Sequence, residues 1–286
     1  MVIRARVNRS RRIAAIALFA ATATCVDYQT PTSFTQPGRD TIPALVSPAI
    51  VQTLLTAGNN TVNQKVYTTP SIAPASNALI TVAVMGHNST SATASPTLSG
   101  GGMTTWTVVG TVTFDAVATP HKRLTIYRAM SATPGSGPLT ITWSGSQSNC
   151  QWIVSQWTGV DGSGLNGAGA IGQTAATSGD AGNGLLVTVG AFGNAANVGY
   201  GVFGVTKNAL AVTPGSGFTE IAQQPSGESP QTDLAAEWAP NDNSIDASWA
   251  ALNGGALGVE IKADASGGGG GGGVSAGLST VSATPS

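Results

Sequence analysis

Residues 139–160 read LTITWSGSQSNCQWIVSQWTGV, and residues 245–263 read IDASWAALNGGALGVEIKA. Each is a run of apolar residues at every second position, then a turn of Gly, Ser and Asn, then a second such run. Leu139, Ile141 and Trp143 align with Ile245, Ala247 and Trp249. Ile153, Ser155 and Trp157 align with Leu257, Val259 and Ile261. Alternate residues of an extended chain share one face, so the pattern predicts paired, half-buried antiparallel strands.

Working outward, three further matches keep the same order: 78–88 with 184–194, 105–108 with 217–220, and 124–128 with 234–238. An ordered series of matches indicates an internal repeat, and no stretch has helical period. The expected fold is all-β: a two-sheet antiparallel sandwich, jelly-roll or concanavalin-like, built from two similar halves. Two tandem Ig-like β-sandwiches are the alternative. The domain is placed at 43–264, its halves at about 43–161 and 183–264. The Gly/Ala/Ser-rich bridge 162–182 reads as a linker or a long crossover loop. Trp106, Trp143, Trp157 and Trp249 fall in register with apolar partners and are expected in the core.

Charged residues make up only 9% of the chain, against roughly 25% in ordinary soluble domains. Thr, Ser, Asn and Gly take their place, which suits hydroxyl-rich strand faces outside the cell. Arg4, Arg6, Arg9, Arg11 and Arg12 precede the apolar run 13–21 and a small-residue cleavage site, so 1–23 reads as an export signal. Its removal leaves seven Lys and Arg against thirteen Asp and Glu, a net charge of −6. A polyanion needs a basic patch, and none is present, so nucleic acid is not an expected partner.

Residues 24–42 read as a flexible stalk and 265–273, with its seven-glycine run, as a linker. Cys25 follows the signal where bacterial lipoproteins carry their acylated cysteine. The segment Thr22-Ala23-Thr24-Cys25 resembles a lipobox, but lacks Leu at its first position and Ala or Gly at its third. A lipid on Cys25 would be the only route to a membrane; a Cys25–Cys150 disulfide is the competing use. Localisation is expected to be extracellular or at a bacterial cell surface.

The tail 274–286 contains LSTVSATPS, residues 278–286, which resembles the opening strand of the bacterial Ig-like repeats of invasin- and intimin-type surface proteins. The resemblance covers thirteen residues at most. It implies a modular surface protein that projects binding domains on Ig stalks, and it carries over no functional residue. The body looks like a jelly-roll or concanavalin-like module of secreted bacterial proteins.

Chemistry-bearing residues are few. His87 and His121 are the only histidines; neither has a partner at metal-ligand spacing, and both read as exposed turn residues. Glu220, Glu237 and Glu260 read as solvated strand-face carboxylates that the first half does not share. Asp161, Ser163 and Asn166 place oxygen ligands on a loop that would suit Ca²⁺, the one cofactor entertained, without a regular calcium-loop spacing. Trp152 falls on the face opposite Ile153 and Trp157, which makes it the one tryptophan expected at the surface and the candidate for stacking on a sugar.

These features describe a non-catalytic recognition or adhesion module, with a glycan or a host or cell-surface molecule as the expected ligand. A secreted glycoside hydrolase or lyase on the same fold is one alternative, and a purely structural stalk element the other.

Overall fold

In a computed structural model that describes residues 49–265, apart from 93, 116–120, 207–211, 228 and 230, the alternating runs are strands. The signal, the stalk, Cys25, the glycine run and the tail 274–286 lie outside the described residues. The first half contains β1 (Val51–Asn60), β2 (Gln64–Ile72), β3 (Leu79–His87), β4 (Thr97–Gly100), β5 (Thr107–Phe114), β6 (Lys122–Ala129), β7 (Gly137–Gln147) and β8 (Asn149–Thr158). The second contains β9 (Ile171–Thr188), β10 (Val198–Val205), β11 (Thr213–Pro214), β12 (Thr219–Pro225), β13 (Asp233–Pro240) and β14 (Ser244–Ile261). All pairings are antiparallel, and the expected all-β sandwich is what forms.

One sheet runs β1-β8-β3-β6-β5 and a smaller one β2-β7-β4. Strands β1 to β5 alternate between the two sheets, β6 stays beside β5 in the larger one, and β7 and β8 return between the first strands of each, an order related to jelly-roll winding. The second half repeats it with fewer breaks. Residues 171–179 of β9 pair with 254–261 of β14, and residues 184–188 pair with 244–248, so these two 18-residue strands each serve both layers. Among the described residues the result is three sheets rather than two, because the long strands join the second half's layers into one hydrogen-bonded sheet.

The pairing registers carry the repeat down to its irregularities. β5 slips against β6 between Val108 and Gly110, and β12 slips against β13 between Glu220 and Ala222. Four of the five sequence matches coincide with equivalent strands. The exception is 78–88 with 184–194. By its neighbours the counterpart of β3 is β10, since both sit between the strands that close each half. Residues 184–188 correspond instead to β2. The bridge 162–182 is likewise no loop beyond Ile171, where β9 starts, so the second half begins there and not at 183. Its Gly, Ala and Thr residues are strand residues against the equally small Gly254, Gly255, Ala256 and Gly258 of β14.

Three cores follow. The first half closes Ile80, Val82 and Val84 of β3 and Cys150, Trp152 and Val154 of β8 over Tyr67, Leu139, Ile141 and Trp143. The second closes Phe203, Val205 and Ala256 over Val187, Ile245, Ala247 and Trp249. The third and largest lies between the halves, where the outer faces of the two large sheets meet: Leu79, Ala83, Met85, Leu124, Ile126, Ile153 and Trp157 against Val198, Tyr200, Val202, Leu234, Leu257, Val259 and Ile261. Trp157 anchors it, donating from Nε1 to Thr81 Oγ1 at 2.8 Å and meeting Tyr200 edge-on at 5.1 Å between ring centroids. β3 is therefore buried at every position, which explains its nearly unbroken apolar run.

Trp152 is corrected by this layering. It is 4% exposed and sits in the first half's core, its indole against Gly58, where an added Cβ would come within 2.9 Å of the ring. Alternation assigned its face correctly, but the opposite face of β8 is buried too. Trp143 packs in the same way on Gly86, where an added Cβ would lie 2.5 Å from the indole. Truncation of either Trp143 or Trp152 to Ala should therefore cost about 3–5 kcal/mol, read from the denaturant midpoint. A Trp152→Ala cost below about 1 kcal/mol would place that side chain at the surface.

Candidate functional site

Three neighbouring strands end together. Residue pairs His87–Lys122 and Phe114–Lys122 align β3, β6 and β5 in register, so the end of β3, the end of β5 and the start of β6 share one edge of the large sheet. The backbone ties them: Asn88 N donates to His121 O at 2.9 Å and His121 N to Asp115 O at 3.2 Å. Asp115 is held at φ 71°, left-handed backbone that costs a non-glycine residue energy.

The side chains converge as well. One ligand-capable atom from each of His87, Asp115 and His121 lies within 4.8 Å of the others. The two imidazoles meet edge-on with centroids 6.1 Å apart. Lys122, itself buried, pairs through Nζ with Asp115 Oδ2, while Asn253 of β14 donates to Asp115 Oδ1 at 3.3 Å. The site thus touches both halves. His87 is 8% exposed, and its buried Nδ1 has no hydrogen-bond partner among the described residues.

Burial, and then the charge of Lys122, push His87 down to about 4. Burial raises the Asp115 carboxyl, but its hydrogen bond to Lys122 and that residue's charge outweigh this and leave it below the usual range. A neutral imidazole beside an ionised carboxylate is a ligand-ready pairing near pH 7.

The second half does not repeat the cluster. The registers place Thr206, Gly227, Gln231 and Thr232 where the first half has His87, Asp115, His121 and Lys122. Gly227 has φ 78°, so the turn needs a left-handed residue, and the first half fills that position with an aspartate. His87, expected in an exposed turn, is instead buried at a strand end with Asp115 and the half-exposed His121 beside it. Spacing along the chain hid the cluster, because its members lie on strand ends joined by pairing. The available signal was that Asp115 and His121 flank one hairpin turn.

The other candidates are engaged locally. Asp161 Oδ1 accepts from Ser163 N at 2.9 Å, and Oδ2 faces Lys262 Nζ at 3.3 Å. Asn166 Oδ1 accepts from Met130 N at 3.2 Å, and its amide donates to Thr107 Oγ1 at 2.9 Å. These oxygens thus have partners in the loop itself, in Lys262 and in Met130. Cys150 is fully buried with no disulfide, its thiol pushed up to about 12 by burial.

Glu237 and Glu260, expected to be solvated, are 2% and 4% exposed. Glu260 is satisfied by Asn197 Nδ2 at 2.6 Å and Gln173 Nε2 at 3.1 Å. Among the described residues Glu237 receives only Gly215 N, at 3.3 Å, and its Oε1 has no partner. Glu220 remains at the surface. No helix of the described residues is long and apolar enough to cross a membrane. Compared with known proteins, the chain matches no family model, no curated sequence and no solved structure.

Proposed function

We propose that the chain is a non-catalytic recognition module of a secreted or surface-displayed protein, and that it binds through the solvent face of the small sheet β2-β7-β4. What supports this reading is the chemistry of that face. Pairing sets Val66, Thr142 and Thr97 in one row and Thr68, Thr140 and Ser99 in the next. All six reach solvent, Thr140 in part, while Leu139, Ile141 and Trp143 point the other way into the core. These six side chains carry no charge, and the packing of Leu139, Ile141 and Trp143 beneath them fixes the face. Each hydroxyl both donates and accepts, and each threonine also offers a methyl group. Such a surface suits an extended, hydroxyl-bearing polymer such as a glycan better than a charged ligand.

A glycoside hydrolase would need two free carboxylates flanking an open cleft; Glu237 is buried in the second half, and Glu260, which borders a surface hollow with Asp161 and Lys262, has its oxygens held by Asn197 and Gln173. The test is binding of the full chain to immobilised and insoluble polysaccharides, with Thr142→Lys at the centre of the grid. Binding by the parent chain that Thr142→Lys weakens about tenfold or more, with Tm unchanged, is expected. A parent chain that binds none of them would favour the stalk reading. Binding that Thr142→Lys leaves intact would move the site elsewhere.

A further inference from the structure

We propose that His87, Asp115 and His121 bind one first-row divalent cation of the Zn²⁺ class at the seam between the two halves. The inference is independent of the glycan reading and concerns a different edge of the molecule.

The donor set decides the class of ion. Two imidazoles and one carboxylate suit Zn²⁺ and its neighbours, whereas Ca²⁺ and Mg²⁺ take oxygen cages. Three protein ligands leave a fourth position for water. Bonds of about 2.0–2.1 Å to a tetrahedral Zn²⁺ hold the ligand atoms roughly 3.3 Å apart. Atoms already within 4.8 Å of one another reach that spacing by side-chain rotation, without moving a strand. His87 adds a second observation: a side chain more than nine-tenths buried has a ring nitrogen with no partner. A buried polar atom left unpaired costs roughly 1–3 kcal/mol, so an ion bound at His87 Nδ1 would relieve that cost.

Lys122 is the obstacle and also a diagnostic. Its ammonium holds Asp115 Oδ2, which leaves the metal to bind through Oδ1, where Asn253 is now the long-range donor. A ligating carboxylate that is itself hydrogen-bonded is ordinary in metal sites. A buried positive charge beside the ion nevertheless repels it, so affinity should be held down by Lys122. The second half, with Thr232 in that position and no imidazole, closes the same hairpin without the ion pair. The charged cluster is therefore not required for the turn.

The experiment uses the full chain, tag-free and stripped of metal with a chelator. His87 and His121 are the only histidines, so imidazole ligation has one address. Titration with Co²⁺ should give visible ligand-field bands that saturate at one ion per chain, displaced by Zn²⁺, and Zn²⁺ should raise Tm. His121→Ala, at a half-exposed position, should weaken binding about tenfold or more and remove the bands without lowering the metal-free Tm. Lys122→Gln should tighten binding several-fold, an effect that a merely structural lysine would not give. His87→Ala should match His121→Ala; if it fails to fold, His121→Ala alone decides. No Co²⁺ bands and no Zn²⁺-dependent Tm shift at roughly millimolar ion, or bands that survive His121→Ala, would overturn the site.

Discussion

Residues 51–158 and residues 171–261, each expressed alone, should fail to give a cooperatively folded protein, although each contains its own full set of paired strands. The cause is the core between them. Separation would uncover Leu79, Ala83, Met85, Leu124, Ile126, Ile153 and Trp157 on one side, and the matching face around Tyr200 and Leu257 on the other. At about 1.5–3 kcal/mol for each large side chain, the loss on either face is on the order of 10 kcal/mol. That equals the whole stability of a typical domain, about 5–15 kcal/mol, so neither half should survive it. The intact chain should unfold in one transition. The two halves co-expressed should recover a soluble complex, because the seam also carries specific hydrogen bonds. Asn149 Nδ2 donates to Thr232 Oγ1 at 3.1 Å and Thr232 Oγ1 to Gln151 Oε1 at 2.7 Å. Two separated transitions, or a dispersed NMR spectrum from one half, would show two independent domains.

The same seam separates what the sequence disclosed from what it hid. Period two in 139–160 and 245–263 is enough to read strands, faces and the duplication, because β7 and the first part of β14 each have one wet face and one dry face. It failed at Trp152 because alternation tells which residues share a face and not what covers it. β8 has protein on both sides, and a polar neighbour such as Gln151 is buried in the network with Thr232 rather than solvated. Glu237 misled for the same reason. β9 was hidden differently: Gly, Ala and Thr in 171–182 look like a linker until the glycine-rich stretch of β14 is seen opposite them. The His87–Asp115–His121 cluster was invisible because it is assembled by register across three strands. The duplication could have flagged it, since the equivalent positions in the second half carry no ligand.

Glu237→Gln should stabilise the protein at pH 8 and do little at pH 4.5. Glu237 sits at 2% exposure with one carboxylate oxygen unpartnered and one weak bond from Gly215 N. Burial, aided by the nearby Asp246 and Asp242, pushes its carboxyl up to about 8 from the ordinary 4.5. The folded chain therefore keeps a proton on Glu237 that the unfolded chain releases above pH 4.5. Between these two values the native state binds more protons, so stability falls as pH rises. With about 1.4 kcal/mol per pH unit, the loss at pH 8 reaches up to about 4 kcal/mol. Gln keeps the neutral shape and an oxygen for the Gly215 N–H but cannot ionise, so the variant should lack this part of the slope. Asp233, raised to about 6 by burial, should leave a smaller fall below pH 6 in both proteins. Because the readout is the slope of stability against pH, any fixed cost of burying the amide shifts the whole curve and does not imitate the effect. Denaturant midpoints at half-unit steps from pH 4.5 to 8.5 would measure it. Parallel curves for the parent chain and Glu237→Gln would mean that Glu237 is ionised in the native state, and thus that water or a cation reaches the unpartnered oxygen.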